Sequence, residues 1–201
     1  MNSDALLVQL QQGIDALKLW DRLTLMVVSD HGMTPMGDYV DLESKLAAAK
    51  IKATVAGYTV AHIFVDNPAD IPAATTALSD IPNTQLITAE QAQRQHQFMH
   101  PERAGDLVLL AQPPAIFVQP GGMEGFAMNL MRFFGWDFGG HGYDPQHPDM
   151  GAIWLLQGRG ITPGASLSGA HQVDVAPTAA GLLGIDPPEH ASGRQLLLPL
   201  R

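Results

Sequence analysis

Residues 23–33 read Leu-Thr-Leu-Met-Val-Val-Ser-Asp-His-Gly-Met, and this stretch decides the fold class. Leu23 to Val28 is a nearly unbroken apolar run of strand length, the pattern of a strand buried on both faces in a parallel sheet. It ends in Ser29-Asp30-His31-Gly32, so polar groups arrive at the strand's carboxyl end, where open α/β sheets place their ligands. Upstream, Leu6, Leu7, Leu10, Ile14 and Leu17 recur at spacings of three and four. That period predicts an amphipathic helix over Asp4 to Leu17, with Ser3 or Asp4 as its cap. Helix, buried strand and polar loop, in that order, predict an α/β fold.

Outward from this unit the texture changes. Within 40–111, DLESKLAAA predicts a short helix, and ATVAGYTVAHIFVD predicts two alternating strands broken near Gly57. Asp70 to Leu78 and Ala89 to Gln95 are expected as short helices, and Asp106 to Leu110 as a strand. We therefore expect residues 40–111 to form a small α+β insert, and residues 1–39 with 112–201 to form part of the main α/β domain. Gln112 to Pro148 holds too many Gly, Pro and aromatic residues to read as helix or strand; such a long loop is often functional. Gly151 to Gln157 resembles a second buried strand, and Val173 to Leu183 a helix closed by Gly184. The remainder, Ile185 to Arg201, is Pro-rich with an apolar end.

Composition narrows the chemistry. The chain has 201 residues, 46% of them hydrophobic, which suits one domain with an inserted lobe and a sizeable core. Its net charge of −9, from 20 acids against 11 bases, argues against a general nucleic-acid-binding surface. Bound cations can still bring a phosphate ester to an acidic protein. With no cysteine, a disulfide framework and a thiolate zinc site are excluded, and any metal must be held by His, Asp or Glu. No run reaches the roughly 18 apolar residues of a membrane span. The first residues, MNSDALLVQLQQG, lack the basic start and apolar core of a signal peptide.

Two clusters carry metal-binding chemistry. Asp30 and His31 pair a carboxylate with an imidazole, and Gly32 relaxes the backbone so that adjacent side chains can converge. The tetrapeptide alone also fits a turn in which Asp caps a following helix. His141 sits in Phe138-Gly139-Gly140-His141-Gly142-Tyr143, where the glycines allow close backbone approach to a ligand. A glycine turn carrying a surface histidine is the plainer alternative. His62 lies in an alternating strand pattern, and His96, His100, His147, His171 and His190 lie in polar or Pro-flanked segments that suit surface or loop roles. Asp144, Asp149 and Asp174 read as turn or cap residues, and Thr34 as part of the turn Met33-Thr34-Pro35. Phe133, Phe134 and Trp136 read more readily as a packed loop core than as a substrate pocket. Arg132 is a candidate phosphate contact that its spacing does not require.

Several ordered matches are more specific than any one of them. WDRLTLMVVSDHGM, HPERAGDLVLLA, GGHGYDPQHPDMGAIWLLQGRGI and VDVAPTAAGLLGI occur in that order. Together they resemble the nucleotide pyrophosphatase/phosphodiesterase family of the alkaline phosphatase superfamily. The resemblance implies a doubly wound, alkaline-phosphatase-like α/β sheet bearing two Zn2+ ions. Asp30 and His31 match the Asp-His pair of one zinc, and His141 matches a ligand of the other. In that family the remaining ligands and the nucleophilic Thr or Ser precede the strand that here begins at Leu23. None of the 22 residues before Leu23 resembles those motifs.

The resemblance thus implies the C-terminal portion of a zinc-dependent phosphodiesterase or nucleotide pyrophosphatase, inactive alone. It would take a phosphate-ester small molecule once the site is completed by an N-terminal half, and self-association is expected otherwise. A non-catalytic remnant serving as an interaction module, or another superfamily hydrolase such as a sulfatase, are the alternatives. By family analogy the location is periplasmic or secreted.

Overall fold

The structure is a computed structural model that describes residues 2–96, 100, 103–118, 130, 133–136 and 138–196. In chain order its elements are α1 (Ser3–Ala16), β1 (Thr24–Val28), β2 (Thr34–Met36), β3 (Asp38–Asp41), α2 (Leu42–Ala48), β4 (Ala53–Ala56) and β5 (Val60–Val65). There follow α3 (Ile71–Leu78), β6 (Thr84–Ile87), α4 (Ala89–His96), β7 (Leu107–Ala111), β8 (Ala115–Val118), β9 (Phe138–Gly140), β10 (Trp154–Gly158) and α5 (Val175–Leu183). They divide into two compact units, residues 31–151 and residues 1–30 with 152–201.

In the unit formed by 31–151, a four-stranded sheet runs in the order β4-β5-β7-β6, all neighbours antiparallel. Alternation explains it: Ala61, Ile63 and Val65 of β5 face one core together with Leu109 and Ala111 of β7. Val108 and Leu110 of β7 turn to the other face, against Ile87 and Ala92. Central β7 is thus apolar on both sides, and the sheet lies between Leu42, Leu46, Ala74 and Leu78 of α2 and α3 on one face and α4 on the other. Asp41 caps α2, its Oδ1 accepting the Ser44 N–H at 2.8 Å. Gly57 breaks the β4–β5 hairpin at φ +116°, where an added Cβ would lie 1.9 Å from the Val60 carbonyl oxygen.

Four further strands lie outside the segments that the sequence pattern marks as strand or helix. β3 pairs in parallel with β8, and β2 pairs antiparallel with β9, so Thr34 belongs to a strand and not to a turn. β2 and β9 have three residues each and include Pro35, Gly139 and Gly140. Such segments carry no legible alternation and poor strand propensity, and only pairing with distant partners makes them strands.

In the unit formed by 1–30 and 152–201, three expectations are corrected. β1 pairs with β10 antiparallel, Thr24 opposite Gly158 and Val28 opposite Trp154, not within a parallel pair. Neither strand is fully buried: β10 alternates, with Leu155 57% exposed. An apolar run encodes burial but not the direction of the neighbouring strand. The stripe on α1 is present, yet Ile14 is its buried member, while Leu6 and Leu10 are 52% and 51% exposed. The α1 cap is Asn2, whose side chain accepts the Ala5 N–H at 2.9 Å, not Ser3 or Asp4.

At the other end of this unit, α5 ends at Gly184 in the left-handed conformation, φ +68°. Residues 193–196 run beside it. Buried Asp174 accepts the N–H groups of Arg194 (2.8 Å) and His171 (3.0 Å), and the Thr178 hydroxyl accepts that of Leu196 (3.0 Å). The Arg194 and then the His171 backbone bonds hold the Asp174 carboxyl below the ordinary carboxylate range. Because the folded value is depressed, the stability Asp174 contributes is present above its unfolded value. It is lost as the pH falls through the folded one. Thermal unfolding of the parent and Asp174→Asn should therefore differ clearly at pH 7 and draw progressively together as the pH falls from about 4; a constant difference down to pH 2 would contradict this. Among the described residues, no helix is long and apolar enough to cross a membrane.

Candidate metal centre

Asp30 and His31 follow β1 directly. The Ser29 N–H donates to the Ile153 carbonyl at 3.0 Å, and the Ile153 N–H donates to Ser29 Oγ at 2.8 Å, which prolongs the β1–β10 ladder by one step. Asp30 then leaves the strand exposed and lines a cleft with Val28, Ser29, Gln172, Val175 and Ala176.

His31 opens the second compact unit. Its Nδ1 lies 2.7 Å from the Gly32 carbonyl oxygen. In the neutral ring that contact places the proton on Nδ1 and the lone pair on Nε2, the form in which an imidazole ligates a metal. Gly32 is required by close approach: its N–H donates to the Met150 carbonyl at 3.1 Å, and an added Cβ would fall 2.0 Å from the Asp149 carbonyl oxygen. Two residues on, β2 places Thr34 opposite Gly140 of β9. This pairing joins the two candidate clusters, because His141 follows Gly140. The result is a stacked pair, with the His31 and His141 rings 3.7 Å apart between centroids and inclined by 15°.

His141 is exposed but its neighbours are anchored. Gly142 adopts φ +86°, and its carbonyl accepts the Thr59 hydroxyl at 2.9 Å. Tyr143 is buried in the core of the four-stranded sheet and donates to the Ala115 carbonyl at 2.9 Å. Burial pushes the Tyr143 phenol above its ordinary value, so it stays a donor throughout the physiological range. Thr59 and Tyr143 gave no chemical signal in the sequence; their part is to hold the loop.

The ring geometry limits what the pair can do. An imidazole lone pair lies in the ring plane, and zinc sits about 2.0–2.1 Å from nitrogen. Two nearly parallel planes 3.7 Å apart do not meet at that distance, so in this arrangement one ion cannot lie in both planes. Two ions roughly 3.5–4 Å apart, one to each ring, suit the stacking. Among the described residues no group of three or more His, Asp or Glu side chains converges on one point.

The other candidates lie elsewhere. His62 accepts the Gly105 N–H through Nδ1 at 3.3 Å, and burial lowers its pKa. His147 Nδ1 accepts the Asp149 N–H, and Asp144 Oδ1 accepts that of Gln146, both within one turn. Phe133 and Phe134 meet edge to face at 5.6 Å, but both are exposed, as is Trp136, so these rings do not form the expected packed loop core. Arg132 lies outside the described residues.

Known proteins resemble the chain in sequence and in fold. The sequence matches the family described as Type I phosphodiesterase / nucleotide pyrophosphatase over residues 1–144. Mouse (Mus musculus) bis(5'-adenosyl)-triphosphatase enpp4 is 23% identical over 176 residues, covering 87% of this chain and 36% of that protein. Among solved structures, murine ectonucleotide pyrophosphatase / phosphodiesterase 5 superposes with a TM-score of 0.73 at 22% identity, over 92% of this chain and 47% of that one. The human protein gives 0.72 at 24%, over 93% and 47%. An inactive variant of the murine protein in complex with AMP gives 0.73 at 22%, over 92% and 46%. The fold is accordingly alkaline-phosphatase-like α/β, and the chain spans about half the length of these solved relatives.

Proposed function

The chain belongs to the type I phosphodiesterase / nucleotide pyrophosphatase family, and from that membership we propose that it forms the C-terminal portion of a zinc-dependent phosphodiesterase acting on nucleotide phosphodiester or pyrophosphate bonds. The observation that carries the reading is the stacked His31–His141 pair, two imidazoles delivered from distant segments and spaced for neighbouring ions. Asp30 and His31 would hold one ion and His141 the other. The donor set fits zinc, since it is made of imidazole and carboxylate without thiolate. Bound zinc would supply a hydroxyl nucleophile of lowered pKa and neutralise charge on a phosphoryl group during in-line displacement. This chain's own residues do the orienting: Gly32 lets the His31 loop seat against Asp149, and Tyr143 and Thr59 fix the His141 loop.

A nucleotide substrate is supported by the AMP bound to the murine relative and by the triphosphatase named for the mouse one. The remaining ligands and the nucleophile match nothing in this sequence, so activity requires polypeptide that supplies them. The reading is tested by expressing the chain with the coding sequence found upstream of Met1 and assaying a nucleotide phosphodiester, a phosphomonoester and a sulfate ester. Diester hydrolysis that is lost on chelation and restored by zinc supports it. Preference for the sulfate ester would move the chain to another branch, and no turnover of any would make it an interaction module.

A further inference from the structure

Thr34 lies three residues after His31 and opposite the residue before His141. It is 3% exposed, and its hydroxyl donates to Asp149 Oδ2 at 2.8 Å, across 115 positions of sequence. A buried hydroxyl needs an acceptor, and a carboxylate is a stronger one than the carbonyls of a strand ladder. Asp149 also meets the same loop with its backbone, its carbonyl oxygen lying against Gly32. Gly32 in turn donates to the neighbouring Met150 carbonyl at 3.1 Å.

The His31 loop is consequently tied to residues 149 and 150 at both ends, by backbone at Gly32 and by side chains at Thr34. Asp149 is itself fixed within the Pro148–Met150 turn, where its N–H donates to His147 Nδ1 at 3.2 Å and the Met150 N–H to the His147 carbonyl at 2.9 Å. Thr34 therefore joins three things: the loop carrying His31, the strand delivering His141, and the turn that braces the His31 loop. Removing its hydroxyl would leave the loop tied to the 148–150 turn through Gly32 alone, with β2 still paired to β9, and ligand placement tolerates errors of only about 0.5 Å.

The geometry points to Thr34 and Asp149 as positioning residues that set the His31 ring against the His141 ring, and through them the metal affinity of the site. The inference rests on His31 and His141 being zinc ligands, so its test must separate the two claims. Zn2+ affinity is measured by chelator competition on the full 201-residue chain for the parent, Thr34→Val, Thr34→Ser, Asp149→Ala and His141→Ala. The imidazole NMR signals of the metal-free chain provide the second readout.

Thr34→Val and Asp149→Ala should each lose about 10–100-fold in zinc affinity and lose the mutual ring-current shifts of the two histidines. Thr34→Ser, which keeps the hydroxyl, should retain both. Parent-like affinity and shifts in Thr34→Val, with zinc lost in His141→Ala, would overturn the positioning role and leave the ligand reading intact. Equal losses in Thr34→Ser and Thr34→Val would overturn it in favour of simple packing. Unchanged affinity in His141→Ala would sink the ligand reading, and the positioning role with it. Should Thr34→Val not fold, Asp149→Ala decides, because that residue lies at the surface. Where the parent binds zinc too weakly to measure, the ring-current shifts decide.

Discussion

His141→Ala and Asp30→Ala are each expected to strip zinc from the site and to abolish phosphodiester hydrolysis in the completed enzyme, both effects appearing together. Each substitution removes a donor outright, so the affinity lost should exceed the roughly 10–100-fold typical of changes to groups that only orient a ligand. The stacking sharpens the expectation for His141, because a ring that cannot share an ion with His31 cannot be replaced by it. The control is His62→Ala. His62 is an acceptor for the Gly105 N–H within the sheet, and its loss should cost about 1 kcal/mol of stability while leaving zinc untouched. Zinc content by chelator competition, read beside diester turnover and a melting curve, separates these effects. Full zinc retention with lost activity in His141→Ala would remove that residue from the ligand set.

These residues are legible in the amino-acid sequence because local pattern marks them. Asp30 and His31 stand where an apolar strand ends, and strand ends deliver side chains to sites. His141 is flagged by Gly139, Gly140 and Gly142, which fit no strand or helix pattern in the sequence. The helices over 42–48, 71–78 and 175–183 are legible as short helical stretches, the last closed by Gly184. In contrast, the β2–β9 pairing that brings the histidines together depends on Thr34-Pro35-Met36 meeting Phe138-Gly139-Gly140, segments without local strand character. Asp149 reads only as a turn residue, because its partner Thr34 is far away in sequence. The direction of β1 against β10 is a tertiary fact that an apolar run leaves open. Likewise the α1 stripe states that a face should be covered, but not by what.

That uncovered face leads to the second large effect: the chain alone should hydrolyse a nucleotide diester no faster than the metal-free background, and should self-associate. In the unit formed by 1–30 and 152–201, Leu6, Leu10 and Leu17 of the α1 segment are exposed, as are Val28, Ile153 and Leu155 around β1 and β10. Fully burying such a side chain stabilises by about 1.5–3 kcal/mol, and these six are 47–70% exposed, so covering each contributes part of that and the six together favour burial against a complementary partner. The polypeptide proposed to bear the nucleophile and remaining ligands is the partner that would cover them and complete the chemistry in one step. Light scattering of the purified chain should show oligomers that resolve to one stoichiometric complex when that polypeptide is supplied. Diester turnover should rise in the same fractions, from background to an acceleration of at least about 10⁶-fold. A monomer that turns over diester unaided would show instead that the residues of this chain suffice and that the nucleophile lies among them.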